Sequence, residues 1–484
     1  MECLKEGETY KFMGVYQSTQ IDKEGLESSL LRTVKQRTHV IWKSSLYDIN
    51  KVMATNIFVN GCVDYYFWGC NMRIDFLKEL DRSVRRVLNM CAAKHTNAVN
   101  ESLYLSRGKG GRGLKSLESS YKDIKIKAAM KLKQNNNPRM QLVNGFHQEH
   151  LQTNSYSLFK EAERYCEERE LNFQCENETI VITRDDEEVS SEEENNNEKL
   201  KRMLKSGVER INLGAVLKCK WQGVILKTIM EDETLVKTNF NWLSKWRSCP
   251  TSTISEMMNL LLQTLKTKCY EKHIVPSGTI VDTTCRLCKR GDESVKHLLS
   301  NCGELAKRVY MQRHNQALKC FFFPVLKKCK FIEDVPPWFT SIDVKPHYEN
   351  DEYSVFWDVP EYSGRDNETI RDGARPDGKL IMKNEKKIFL IEQTVPWLSN
   401  RDEKYDLKTN KYLEVQAFLR VEFPEYEIGQ VTLVMDVFGG YSKNLRENVE
   451  KVLDEEEAKV VVRDMQKAVV SNDAHLVRIF KMRT

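Results

Sequence analysis

The chain has 484 residues, enough for roughly three domains, and its 75 Lys and Arg against 70 Asp and Glu leave a net charge of only +5. That balance excludes a uniformly basic nucleic-acid binder, so any such contact must come from local clusters. The 14 cysteines occur without a signal-peptide pattern or a short disulfide-dense stretch, which points to a reducing compartment, and no apolar run of bilayer-spanning length is present.

Residues 10–180 read as mainly helical, with apolar residues at helical spacing through Glu27–Tyr47, Asn50–Cys70 and Met72–Ala93. Within them Tyr65, Tyr66, Phe67 and Trp68 suit a packed core better than a base-stacking surface. The loop Gly108-Lys109-Gly110-Gly111-Arg112-Gly113 has the composition of a phosphate cradle, but no strand pattern precedes it and a plain loop fits the same letters. From Asp185 to Asn197 acids and amides leave almost nothing to bury, which predicts a disordered linker over 181–200. A helical connector follows over 201–280, with helices at Glu198–Gly207, Trp242–Trp246 and Thr253–His273, the last carrying an apolar stripe of Met257, Leu260, Leu261 and Leu265. Lys199, Lys201 and Arg202, and further on Lys266 and Lys268, fit a phosphate backbone and a solvated helix face equally well.

The spacing Cys285-x2-Cys288-x8-His297-x4-Cys302 gathers four nitrogen and sulfur donors in one short segment. That set suits one tetrahedral Zn²⁺ in a closed, structural site, the alternative being four ordinary reduced side chains. Lys289, Arg290 and Lys296 around the ligands are placed for phosphate contact, although basic residues are common on any surface.

Further along, Lys379–Met382 and Ile388–Val395 are β-prone runs around the polar turn Lys383–Lys387, which reads as a hairpin. A turn centred on Asn384 and Glu385 pairs Ile381 with Ile388, Leu380 with Phe389, and Asp377 with Glu392. Facing carboxylates repel unless a cation or proton separates them, and oxygen ligands alone suit Mg²⁺. Asn400 then reads as the N-cap of a helix running to about Val421, with Glu403 completing a capping box. On its wheel Lys404, Lys408 and Lys411 share the side of Tyr412, Val415, Phe418 and Leu419, while Asp402, Glu403, Asp406, Asn410 and Ala417 lie mainly opposite. A lysine run is commonly a solvated face, but this register turns the ammonium groups toward the sheet and its acids. Gln430–Val437 reads as another core strand, ended by Gly439 and Gly440.

Three of these elements together resemble the restriction-like endonuclease of site-specific non-LTR retrotransposons, a branch of the PD-(D/E)xK nuclease superfamily. They are Ala374-Arg375-Pro376-Asp377, the strand from Ile388 through Glu392 to Pro396, and Lys408 with Lys411-Tyr412. The resemblance covers about 350–455 and implies that Asp377 and Glu392 hold the catalytic Mg²⁺ or Mn²⁺ while Lys408 and Lys411 act on the phosphate. It departs from the family in carrying Glu392 where Asp is more usual, and Thr394 where the wider superfamily has its lysine. The CCHC segment before the nuclease resembles the same architecture, and implies help in nucleic-acid binding. Tyr10–Val15 and Ser102–Leu114 resemble, more loosely, the post-palm segment and thumb of non-LTR reverse transcriptases.

The expected organisation is multidomain, mainly α in the N-terminal two thirds and α/β at the C-terminus. It comprises a thumb-like helical region at 1–180, the acidic linker, the helical connector, a zinc-knuckle region at 281–335 and a nuclease-like domain at 345–484. No aromatic-x-Asp-Asp strand turn of a polymerase palm is found, Asp185-Asp186 lying in the acidic run, so the chain is expected to lack polymerase activity. The expected function is Mg²⁺-dependent nicking of target DNA for target-primed insertion in the nucleus, with DNA as partner and the element RNA as a second candidate. The competing expectation is a catalytically inactive, nucleic-acid-binding remnant. On the first reading Lys408→Ala lowers cleavage by about 10²–10³ while leaving the fold untouched.

Overall fold

The computed structural model describes residues 10–12, 15–17, 22–176, 179–192, 196–274, 282–360 and 375–483. Ala374, Met13 and Gly14, which the resemblances above include, lie outside these residues. The chain divides into two compact units: Met1–Cys219 with Arg247–Thr251, and Lys220–Trp246 with Ser252–Thr484. The expected connector is therefore not a unit of its own.

The first unit is mostly helical. Helices Lys23–Lys43, Ile74–Met90, Leu117–Lys133 and Leu158–Glu167 bury one stripe each around Val34, Leu77, Leu80, Tyr121 and Tyr165. The predicted segment Asn50–Cys70 is divided into helices Asp48–Ala54 and Gly61–Gly69 by a π-helical turn at Thr55–Val59. Its aromatic run separates by direction: Phe67 is fully buried and Tyr66 packs against the core, whereas Tyr65 and Trp68 are exposed. Tyr10–Phe12 and Val15–Gln17 pair as a short antiparallel ladder.

The expected disordered linker is corrected. Ile180–Arg184 and Glu187–Ser190 form two strands of a three-stranded antiparallel sheet with Asn172–Cys175, and the helix Asn196–Lys218 begins soon after. Asp185 and Asp186 are the two-residue turn, with Asp185 in the left-handed region at φ +51°. Ile180, Ile182 and Val189 enter the core while Glu187 and Glu188 face outward. A period-2 pattern thus underlies the acidic composition, and its apolar half is enough to fix the hairpin.

The second unit opens with helices Val224–Met230, Glu233–Thr238 and Asn241–Lys245. The single helix expected at Thr253–His273 is two, Thr251–Leu261 and Lys268–Ile274, because the chain turns at Gln263 with φ +50°. Met257, Leu260, Leu261 and Leu265 are buried as the stripe required. Helix α1 (Met311–Lys328) precedes a five-stranded sheet of β1 (His347–Glu349), β2 (Tyr353–Trp357), β3 (Gly378–Met382), β4 (Lys387–Thr394) and β5 (Glu427–Val434), with α2 (Arg401–Lys411) and α3 (Leu413–Glu422) between β4 and β5. The order is β5-β4-β3-β2-β1, antiparallel throughout except that β5 runs parallel to β4. A parallel neighbour requires a crossover, and α2 and α3 supply it. Helices α4 (Lys443–Glu450) and α5 (Glu455–Met482) complete the unit.

The hairpin register is the expected one, with Ile381 opposite Ile388 and Leu380 opposite Phe389. Side chains alternate across it. Leu380, Met382, Phe389 and Ile391 pack with Phe321 of α1 and Val461 and Met465 of α5. Ile388, Leu390 and Ile428 pack on the other face with Tyr412, Val415 and Leu419. Strand β4 is buried on both faces, which explains its unbroken apolar run and places Glu392 and Gln393 toward opposite layers. The expected helix from Asn400 to Val421 breaks at Tyr412, and Asn400 does not cap it: its Oδ1 accepts from Ser399 Oγ at 3.0 Å and no side-chain cap bond forms.

Candidate functional site

Glu392 sits near the end of β4 with its carboxylate buried, on the face covered by α2 and α3. Lys408 donates to its Oε1, Lys411 Nζ lies 3.7 Å from the same oxygen, and Tyr412 donates to Oε2 at 2.8 Å. The break between α2 and α3 produces this convergence. Tyr412 leaves helical geometry at the junction, so its ring is buried in the core while its hydroxyl contacts both Glu392 and, at 2.9 Å, the Arg375 carbonyl. Burial first, then the charge and hydrogen bond of Glu392, raise the phenol far above its usual range, so Tyr412 acts as a neutral donor. Among the described residues, Lys408 and Lys411 pair with Glu392 and Lys404 does not.

Asp377 is reached from the other layer. The paired register ends at Gly378 opposite Ile391, so Asp377 lies one residue beyond the ladder and the expected cross-strand pair of Asp377 with Glu392 is not formed. The Asp377 carboxylate accepts the Gln393 backbone N–H at 2.6 Å. His314 of α1 approaches the same oxygen with Nε2 at 3.1 Å, and the Gln393 carbonyl at 3.1 Å. Burial pushes the Asp377 carboxyl up, but the His314 hydrogen bond and charge, the Gln393 N–H and the Lys408 ammonium outweigh it and hold it below the usual range. For His314 burial favours the neutral ring, and the Asp377 contact overcomes that and raises it. The two acids therefore take their hydrogen-bonding partners from opposite layers, Lys408 for Glu392 and His314 for Asp377, while the Lys408 charge acts on both.

His314 was not singled out by the sequence. A histidine in a helix carries no local spacing signal, and its partner lies 63 positions away. Arg375, part of the motif, is clasped to Asp358 by bonds of 2.7 and 2.9 Å and is thereby committed.

The cysteine cluster converges as its spacing required. The ligand atoms of Cys285, Cys288, His297 and Cys302 all lie within 4.8 Å of one another, a group that can hold a metal ion. Cys288 Sγ is 3.2 Å from His297 Nε2, close to the roughly 3.5 Å edge of a tetrahedron built on bonds of about 2.0–2.3 Å. A tight turn carries the first two ligands: Lys289 N–H donates to the Cys285 carbonyl and Cys285 N–H to Gly291, both at 2.9 Å. Gly291 has φ +64°, a left-handed conformation that calls for glycine at this turn. Burial pushes the Cys302 thiol up to about 12 and raises Cys285. Lys289, Arg290 and Lys296 are exposed around the cluster.

The glycine loop of the first unit is a plain loop. Gly110, Gly111 and Gly113 donate their N–H groups to the carbonyls of Arg107, Ser106 and Leu105. Arg107 and the buried Arg112 both pair with Asp48, so loop amides and guanidinium groups serve the fold rather than a phosphate. Neither a scan against protein-family models nor a search of curated proteins gives a match to this chain.

Proposed function

We propose that the chain is a metal-dependent DNA endonuclease, related to the restriction-like endonucleases of non-LTR retrotransposons and acting by nicking DNA. One observation carries the reading: an acid near the end of β4 and a second acid one residue before β3, the neighbouring strand, with two lysines and a tyrosine from the crossover helices and their junction turned onto the first. A structural ion pair needs one lysine, whereas a phosphate site makes use of two ammonium groups beside a second acid. Asp377 and Glu392 are the donors for Mg²⁺ or Mn²⁺, which when bound supplies Lewis-acid stabilisation of the phosphate and an activated water.

Two carboxylates are the donor chemistry that ion takes, and one condition goes with them. Both Glu392 oxygens already accept hydrogen bonds, from Lys408 and Tyr412. Lys408 holds the position of a cation on Glu392; with a metal bound, Asp377 and Glu392 would hold the ion and the Lys408 ammonium would be available to a phosphate oxygen. Tyr412, donating to the second carboxylate oxygen, would hold Glu392 in place. His314 holds Asp377 in place from the opposite layer, and Lys411, whose side chain is 41% exposed, is open to a phosphate from solvent. The Cys285, Cys288, His297 and Cys302 group is read as a structural Zn²⁺ site, with three sulfurs and a nitrogen and no fifth acidic ligand in the group.

The test is nicking of supercoiled plasmid in Mg²⁺ and Mn²⁺ by wild type, Asp377→Ala and Glu392→Gln. Wild type is expected to relax the plasmid and both variants to fall by at least about 10² in rate. The occupation of Glu392 by Lys408 favours one competing reading, a non-catalytic nucleic-acid-binding remnant. DNA binding by wild type without nicking in either metal would establish that one instead.

A further inference from the structure

We propose that the endonuclease site continues into a pocket for a single unpaired nucleobase, so that the preferred substrate carries an unstacked nucleotide beside the cut. The inference rests on the nuclease reading for the phosphate next to it. A cavity of about 300 Å³ opens in the second unit between α1 and the end of β2, and Asp377 and His314 form part of its wall. A group lodged there is thus adjacent to the acid proposed to hold the catalytic metal, within the reach of one nucleotide.

The chemistry of the wall selects which part of the nucleotide enters. Met311, Leu318 and Trp357 make it apolar and partly aromatic, and among the described residues it carries no lysine or arginine. Its one basic group, His314, is held by Asp377. The two carboxylates of the wall, Asp358 and Asp377, are already paired, with Arg375 and His314, so the wall offers no uncommitted cation to a second phosphate. The phosphate-directed ammonium groups, Lys408 and Lys411, stand on Glu392 instead, brought there from the opposite layer. What remains is a neutral, flat group with polar edges, and Asn315 lines the cavity with an amide able to meet such an edge. A base stacked on a protein aromatic fits this description. Extracting it from a duplex costs unstacking and unpairing, and that cost is least where the nucleotide is already unpaired.

The test uses the full chain in Ca²⁺, which occupies carboxylate sites without supporting the cut. Fluorescence anisotropy compares a labelled duplex with the same duplex opened by a central bubble. Wild type is expected to bind the bubble roughly tenfold tighter, the scale of one base stacked on an aromatic. Trp357→Leu keeps apolar volume against Phe322, whose ring centroid lies 4.8 Å away, and Met311→Glu changes an exposed side chain, so both variants are expected to fold. Each should bring the bubble-to-duplex ratio close to one with duplex affinity unchanged. Equal affinities for bubble and duplex in wild type, or an undiminished preference in both variants, overturn the pocket. Plasmid nicking by wild type in Mg²⁺ is scored separately. A chain that nicks without bubble preference loses the pocket and keeps the nuclease, and one with a pocket-dependent preference that nicks nothing loses the nuclease and keeps the pocket.

Discussion

Lys408→Ala is the substitution on which sequence and structure disagree most usefully. From the sequence it removes a helix-surface lysine at no cost to the fold. In the structure it removes the hydrogen-bonded cation from Glu392, whose side chain is 2% exposed, while the Lys408 side chain is 28% exposed. Breaking a fully buried pair by deleting one partner costs about 3–5 kcal/mol, and exposed pairs are worth about 0–1 kcal/mol. The partial exposure of Lys408, with Tyr412 still donating at 2.8 Å and Lys411 still 3.7 Å away, places this pair between those limits. We expect a loss of about 1–3 kcal/mol. Urea unfolding of wild type, Lys408→Ala, Glu392→Gln and the double variant measures it as a double-mutant cycle. The double variant should be less destabilised than the sum of the singles, because the neutral amide no longer needs the ammonium. Lys411→Ala, already exposed, should shift the midpoint much less. Nicking measured well below the unfolding midpoint should still fall by about 10²–10³ for Lys408→Ala. An unfolding midpoint equal to wild type, with a zero coupling term in the cycle, would refute the pairing from which the stability cost is worked out.

Two further outcomes are expected. Purified protein should contain one Zn²⁺ per chain, and Cys288→Ser should lose the ion together with thermal stability; elemental analysis showing no zinc in wild type would end the structural-zinc reading. Buried acids give a pH signature: burial raises the Asp436 carboxyl to about 7, against the opposing N–H bonds from Gly440 and Phe438, and raises Asp473 to about 6 against its pairing with Arg313. A carboxyl whose folded-state value is raised binds its proton more tightly when folded, so its stabilising contribution is greatest at the acid end and is lost as pH rises toward 7. Asp436→Asn should therefore gain thermal stability relative to wild type as pH is raised from about 5 to 8, and a gap that stays constant across that window would contradict the assignment.

What the sequence made legible was local or periodic. The hairpin register followed from alternation on either side of one polar turn, and the Cys/His cluster from its spacing in a single short segment. Lys408, Lys411 and Tyr412 followed from the angle between residues on a helix, and that reading survived the break at Tyr412 because the break lies after both lysines. The acidic hairpin was missed because composition was weighed before period, although Ile180, Ile182 and Val189 carry the alternation.

The missed residues share another property, since each acts through a partner outside its own helix, two of them far along the chain. Arg313 pairs with Asp473, 160 positions away, and donates to the Leu299 carbonyl at 3.0 Å, within the Cys/His cluster segment. Tyr310, one turn before His314, accepts the Cys302 N–H at 3.1 Å and donates to the Leu298 carbonyl at 2.7 Å. His314 then reaches Asp377. One helix start thus joins the Cys/His cluster segment to Asp377, through bonds whose partners are set by tertiary packing. A side chain of this kind is fixed by where two distant segments meet, so its role becomes readable only once the sheet, α1 and α5 are in place.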